Sequence, residues 1–453
     1  MFFFTIRFQT ILNPTLQEWL DWLSPPSMPR LNKKTWRGAF VQSDLYIAGV
    51  GMTQFGRHLD KQVWELGAEA ITLALADAGA ALSDIEQAYY GTGTQAALQQ
   101  QYAIPGQVIF NRIGLGGIPV YNVENACATG TSAFQLAAQA IRAGACDIAL
   151  AVGAEKMNIA DKYRTMAMFD GGWDVSRAEE NAARLLALGE GIEVPEGSES
   201  DKPYSRFMAI YAAQCRHWMK QFGTTQRQIA AISAKNHMHS VDNPLSQFRK
   251  PFTIEEVLAS APITYPLTIA MCAPMTDGGA AVVVANAKGL ARMQGGQGRA
   301  IKIAATALAT ATERGPTEYE KAVCRRAADL AYERAGLGPQ DVSVVEVHDA
   351  TAVGELMAVD YLRLTEMGGS GPAAERGELS IGGRVPVNPS GGLECKGHPI
   401  GATGLGQIHE LVTQLRGEAG VRQVEGAKVA LQENGGGSIG YEEGVVAINI
   451  LTR

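Results

Sequence analysis

Five patterns occur twice in this chain, in the same order, and that duplication limits the fold more than any single motif. "DLYIAGVGMTQ" (44–54) is matched by "AIKIAATALAT" (300–310). A helical pattern over 63–80, with Leu66, Ala70, Leu73 and Leu75 on its spacing, is matched over 320–336. "IEQAYYGTGTQA" (85–96) pairs with "VSVVEVHDATA" (342–352). "NVENACATGTSAFQLAAQAIRAG" (122–144) pairs with "NPSGGLECKGHPIGATGLGQIHELVTQLRG" (388–417). "DIALAVGAEKM" (147–157) pairs with "KVALQENGGGSIG" (428–440). Short apolar strands alternate with helices in both copies, so the chain is read as α/β, built around buried sheet.

Composition narrows the function classes. The net charge of -7 lacks the basic footprint of a nucleic-acid binder. Cys127, Cys146, Cys215, Cys272, Cys324 and Cys395 are scattered, with neither a CxxC pair nor zinc spacing, and are read as reduced thiols in the cytoplasm. His237 and His239 are two apart and on a helix would face different ways, so no metal site is expected. "GVG" at 49–51 fails as a dinucleotide fingerprint, because its third glycine position is Gln54. Residues 1–43 are read as a poorly ordered extension ending in a Pro-rich basic linker. No segment reaches the roughly 18 apolar residues of a membrane span, and the C-terminal "NILTR" is no peroxisomal signal of Ser-Lys-Leu type. "CRHWM" (215–219) reads as a helix packing face, and 179–202 as a solvated charged loop.

Chemistry gathers in the fourth pair of patterns. Cys127 stands at the mouth of a helix expected over 131–143, among small residues that let a carbonyl approach the sulfur. A helix N-terminus favours a thiolate. In the matching place of the second copy, His398 stands in a glycine-rich turn before another helix. Pseudo-symmetry would bring the two together as an activated thiol. His348 and Asp349 follow a buried strand, and "NGGGSIG" (434–440) offers strand-end N–H groups for an oxyanion.

These four loops, in this order on a duplicated chain, resemble the thiolase superfamily, and within it the type found in sterol carrier protein X. The resemblance rests on Cys127, His348–Asp349, Gly397–His398–Pro399 and Asn434–Gly435–Gly436, with support from 235–248 and 271–286. It spans about residues 45–453. It implies a thiolase fold: two βαβαβαββ halves in five α-β-α-β-α layers. The expected divisions are 44–154 with 266–290, a loop domain at 155–265 that holds coenzyme A, and 298–453.

The resemblance also implies roles. Cys127 carries an acyl group taken from a thioester, and His398 accepts the thiol proton. His348 helps to build one oxyanion site; the N–H groups of Cys127 and Gly436 form another. Asp349 orients its surroundings, and Asn434 belongs to the fourth catalytic loop. Coenzyme A is substrate, and neither a resident cofactor nor a metal is expected. A homodimer or tetramer, joined through sheet edges of the first half, is implied as well.

One departure is plain. The sterol-carrier type has a second cysteine in its His-Asp-Cys-Phe loop, where this chain has Ala350 and then Thr351. The other usual position is Asn434. Cys395, three residues before His398, is a candidate substitute, with Thr351 and Glu433 behind it. Three readings follow: a thiolase-type acyltransferase of lipid metabolism, a thiolase-like component paired with an OB-fold/zinc-ribbon partner, or a CoA- or lipid-binding protein without full activity. Relatives with retro-aldol chemistry replace the cysteine and histidine that this chain keeps.

Overall fold

The computed structural model describes residues 44–294 and 298–453. The expectation for residues 1–43 lies outside them. Nine strands form one sheet: β1 (Leu45–Met52), β2 (Gln87–Gly91), β3 (Val120–Val123), β4 (Ile148–Glu155), β5 (Gly278–Asn286), β6 (Ile301–Thr310), β7 (Val344–Glu346), β8 (Val429–Gly436) and β9 (Val445–Thr452). Their order is β3-β2-β4-β5-β1-β6-β9-β8-β7.

That order is a repeat about its centre. In the first half β2 runs parallel to β3 and β4, while β5 is antiparallel to both β4 and β1. In the second half β8 runs parallel to β7, while β9 is antiparallel to both β8 and β6. The place of β3 is taken by a single parallel bridge from Val387 to Val345. The halves meet where β1 and β6 pair through only Tyr46↔Lys302 and Ile47↔Ile301.

Helices complete the layers. α1 (Val63–Ala78) packs outside the first half, on β1 and β5. Glu65 receives the Gln62 N–H at its start, and Gly79 ends it in a left-handed conformation (φ 64°). Two helices lie between the half-sheets: α2 (Thr129–Arg142) and α7 (Ile400–Arg416). They touch each other, and α7 reaches strands of both halves. Gln135 of α2 donates to the carbonyls of Ala307 and Ile448 and to Asn449 Oδ1, tying the first copy's helix to the second copy's strands. α5 (Val323–Ala335) packs outside the second half on β6 and β9. The layers are therefore α-β-α-β-α, as expected.

Glycine permits the close middle layer. A Cβ at Gly153 of β4 would overlap the carbonyl oxygen of Gly401 in the first turn of α7. A larger residue there would push α7 away from β4.

The segment between the copies is helical, with α3 (Arg206–Phe222) and α4 (Gln226–Ser240) as its longest elements. Cys215 and Trp218 of α3 are buried in the core, as a packing face should be. The charged stretch near 179 differs from its reading as a loop. It begins with a helix, Ala178–Leu186, whose Leu185 packs with Trp173 and Ile210. Apolar residues among the charges were spaced for a helix. Gly49 and Gly51 are within β1, pressed against α1.

Candidate active site

Four segments converge at one end of the sheet. The first is the turn between β3 and α2. Ala126 has a left-handed backbone (φ 48°), costly for a residue with a Cβ. Its N–H donates to Glu124 Oε1 (2.6 Å), and Thr129 Oγ1 accepts from Asn125 N–H (2.8 Å). Asn125 Nδ2 donates to Ser132 Oγ (2.9 Å), clamping the turn to the helix. Cys127 follows, two residues before α2, with its side chain half-buried.

The second segment carries His398 between Gly397 and Pro399, the residue that precedes α7. His398 Nε2 lies 3.3 Å from Cys127 Sγ. Nδ1 lies 2.6 Å from Thr403 Oγ1, and that hydroxyl donates to the Pro399 carbonyl (3.2 Å). With the Thr403 proton assigned to that carbonyl, the ring donates from Nδ1. The Nε2 lone pair then faces the sulfur. The tautomer is thus assigned by hydrogen bonding, and it is the one a general base requires.

The third segment is the loop after β7. A nitrogen of His348 lies with Cys127 Sγ and a His398 nitrogen in a group spanning 4.8 Å. The two rings meet edge to face at 5.2 Å. His348 N–H donates to Glu433 Oε2 (2.8 Å), but neither ring nitrogen has a partner. Asp349 faces the other way. It accepts from Leu393 N–H (2.7 Å), Glu394 N–H (3.3 Å) and Asn236 Nδ2 (3.2 Å). It therefore joins three segments and is not in the sulfur–imidazole group.

The fourth segment is the end of β8. A Cβ at Gly436 would lie 3.0 Å from Cys127 N and 2.7 Å from Ala128 N. Only glycine lets this strand rest on the nucleophile's backbone. Asn434 shares that face of the strand, but its Oδ1 accepts from Thr131 Oγ1 (2.8 Å) beneath α2. That contact holds the helix.

Electrostatics correct one expectation. A helix N-terminus favours a thiolate, but burial, then Glu124 and Glu155, push the Cys127 thiol up to about 12. Burial and the neighbouring His348 hold His398 well below the usual histidine range. The resting pair is therefore a neutral thiol donating to a neutral imidazole, and the proton moves as the sulfur attacks.

Cys395 does not reach the pocket. It is fully buried, its thiol lies against Ser240, and burial with Glu394 and Asp349 pushes it well up. The short turn Gly392–Lys396, capped by Asp349, aims it into protein. Glu433 is occupied by the His348 N–H, and Thr351 is buried at the start of α6 (Ala352–Tyr361). His237 donates to the Ala270 carbonyl, whereas His239 binds the Asn388 carbonyl and accepts from Ile381 N–H. They make separate structural contacts, as their spacing required.

Three contributors were not picked out in the sequence. Thr403 sets the His398 tautomer; its signal was a hydroxyl in the first turn after Pro399. Glu155 accepts from Gly93 and Gly401 N–H and from Thr92 and Thr94 hydroxyls, bracing the β2 loop to the start of α7. Its signal was an acid ending an apolar run. Asn236 donates to both Asp349 and Glu355 and pins α4 to the His348 loop.

Comparison with known proteins shows the family. Residues 45–261 match the thiolase N-terminal domain, and 305–449 match the thiolase C-terminal domain-like family. The chain belongs to the thiolase family. Among curated relatives it is 37% identical to human sterol carrier protein 2, over 89% of this chain and 72% of that one. It is 35% identical to an acetyl-CoA acetyltransferase of Methanothermobacter thermautotrophicus, over 90% of this chain and all of that one. It is 31% identical to the benzoylsuccinyl-CoA thiolase subunit BbsB of Thauera aromatica, over 85% and 92%. Two solved structures share the fold. One is titled an Ltp2-ChsH2(DUF35) aldolase (TM-score 0.70, 22% identity, 90% of this chain and 97% of that one). The other is human mitochondrial 3-ketoacyl-CoA thiolase (TM-score 0.64, 16% identity, 91% and 99%). No helix among the described residues is long and apolar enough to cross a membrane.

Proposed function

We propose that the protein is a thiolase-type acyl-CoA acyltransferase, which makes or cleaves a carbon–carbon bond of a 3-oxoacyl-CoA through an acyl group on Cys127. The observation that carries this reading is the 3.3 Å contact from Cys127 Sγ to a His398 nitrogen that Thr403 leaves unprotonated. On this reading Cys127 attacks the carbonyl as His398 takes its proton. Oxygen charge then develops near the Cys127 and Gly436 amides. The acyl group then waits on sulfur for a carbon or sulfur nucleophile.

Coenzyme A serves as substrate, and this chemistry requires neither a resident cofactor nor a metal. All six cysteines are free, which fits a reducing compartment such as the cytoplasm. A homodimer joined through the exposed edge strand β3 fits the chain's architecture. A second reading is favoured by Ala350, which removes the usual second thiol: the chain works with a partner. The solved relative whose title pairs Ltp2 with a DUF35 protein supports that arrangement.

The test is turnover of 3-oxoacyl-CoAs of several chain lengths with free coenzyme A, with and without a DUF35 protein. Cleavage to two acyl-CoAs is expected. Binding without cleavage at every length, in both settings, would leave only a CoA- or lipid-binding role.

A further inference from the structure

We propose that His348 is the second proton carrier of this site, moving the α-proton of the substrate that forms or loses the carbon–carbon bond. This inference rests on the thiolase-type reading above.

Carbon–carbon chemistry at a thioester needs two proton transfers. One belongs to the Cys127 sulfur and is served by His398 Nε2. That nitrogen faces the sulfur, and Nδ1 is committed to Thr403. A second group must exchange a proton with the substrate carbon, and Ala350 cannot.

One titratable side chain besides His398 shares the group at the sulfur. Among the described residues, the cysteine, histidine and carboxylate group around Cys127 has only His348 and His398 as further members. Asp349 is taken up by Leu393, Glu394 and Asn236. Cys395 is shut away against Ser240. His348 is 5% exposed, yet both its nitrogens lack partners, an arrangement that costs free energy unless something binds there. Its ring is held in place: Glu433 accepts its backbone N–H, and His398 meets its face or edge at 5.2 Å. A free, positioned imidazole beside the acylated sulfur is what the second transfer requires.

The step balances in the direction of synthesis. A His348 nitrogen takes the α-proton of acetyl-CoA, and the C–H electron pair moves into the enolate. The enolate carbon attacks the acyl carbonyl on Cys127. The carbon–carbon bond forms and the carbon–sulfur bond breaks, with its electron pair left on Cys127 sulfur. The proton of the imidazolium then passes by way of His398 Nε2 to that thiolate, restoring thiol and imidazole. Burial holds His348 low and the thiol high, which favours the return. Cleavage follows the same path backwards.

The experiment measures two rates on the full chain. Acylation of Cys127 by acetyl-CoA is read by intact mass. Deuterium uptake into the acetyl methyl group in D2O is read by mass of the recovered acetyl-CoA. His348→Asn and, as a second variant, His348→Gln are expected to lower exchange by about 10²–10⁴, at least about tenfold more than they lower acylation. Adding Ala350→Cys to His348→Asn is expected to recover exchange at least about tenfold while acylation stays at the level of the single variant. Exchange at the wild-type rate in both His348 variants would overturn the proposal. So would an equal fall in both rates without recovery by Ala350→Cys. Wild-type protein that acylates but never exchanges would also defeat it, leaving the acyltransferase reading standing. Wild-type protein that does neither would defeat that reading itself.

Discussion

The two halves share a strand order and put a helix into the same middle layer, yet they supply different chemistry. The first contributes the sulfur, from a strained turn before α2. The second contributes both imidazoles, from the loop after β7 and the turn before α7. Duplication thus provides two equivalent loop positions facing each other, and divergence fills one with a nucleophile and the other with its base. Neither half has the pair alone. The site exists because α2 and α7 approach closely.

Breaking the second half's contribution should have the largest effect. His398→Asn removes the base and is expected to slow acylation by about 10²–10⁴, measured by rapid-quench mass spectrometry. A fall below tenfold would mean that the sulfur attacks unaided.

Disturbing the approach of the halves comes next. Gly153→Ala forces a Cβ into the Gly401 carbonyl. It is expected to cost about 1–3 kcal/mol or more in urea melts, with slower acylation. Gly116→Ala, where nothing lies within 4 Å, is the matched control and should change neither. Equal stability of the two variants would show that the middle layer is looser than the glycine contact implies.

Thr403→Val keeps His398 but frees its tautomer. The expected loss in acylation rate is about five- to tenfold, the worth of one hydrogen bond. Thr403→Ser should recover most of it.

The mildest perturbation changes no residue. Because burial raises the Cys127 thiol to about 12, the reactive anion is scarce at neutral pH and grows as protons are withdrawn. Iodoacetamide labelling of Cys127 should rise about tenfold per pH unit from about 7 to 10. A plateau at or below the ordinary thiol range would mean that the α2 N-terminus outweighs burial, and that the resting pair is ionic.

The duplication, the α/β layers and the convergence of Cys127 with His398 were legible because each has a local signature: apolar strand runs, glycine turns and matching order. His348 was legible from its place after a buried strand. What the sequence could not convey was side-chain direction at loops. Asp349 and Asn434 lie beside site residues along the chain, yet one caps Gly392–Lys396 and the other holds Thr131. Cys395 is near His398 in number but turned into protein by one short helical turn. Asn236 and Glu155 act across more than a hundred or about sixty residues of chain, and spacing alone carries no trace of such pairings. The balance between helix dipole and burial at Cys127 likewise depends on how deeply the folded chain encloses the sulfur.

The central claim is that two halves deliver one sulfur and one imidazole to a single acylatable pair. The direct measurement is peptide mapping of the protein after brief exposure to an acyl-CoA. A thioester on Cys127, absent in Cys127→Ala and strongly slowed in His398→Asn, is the expected result. An acyl group found on another residue, or formed on Cys127 at the same rate without His398, would contradict it.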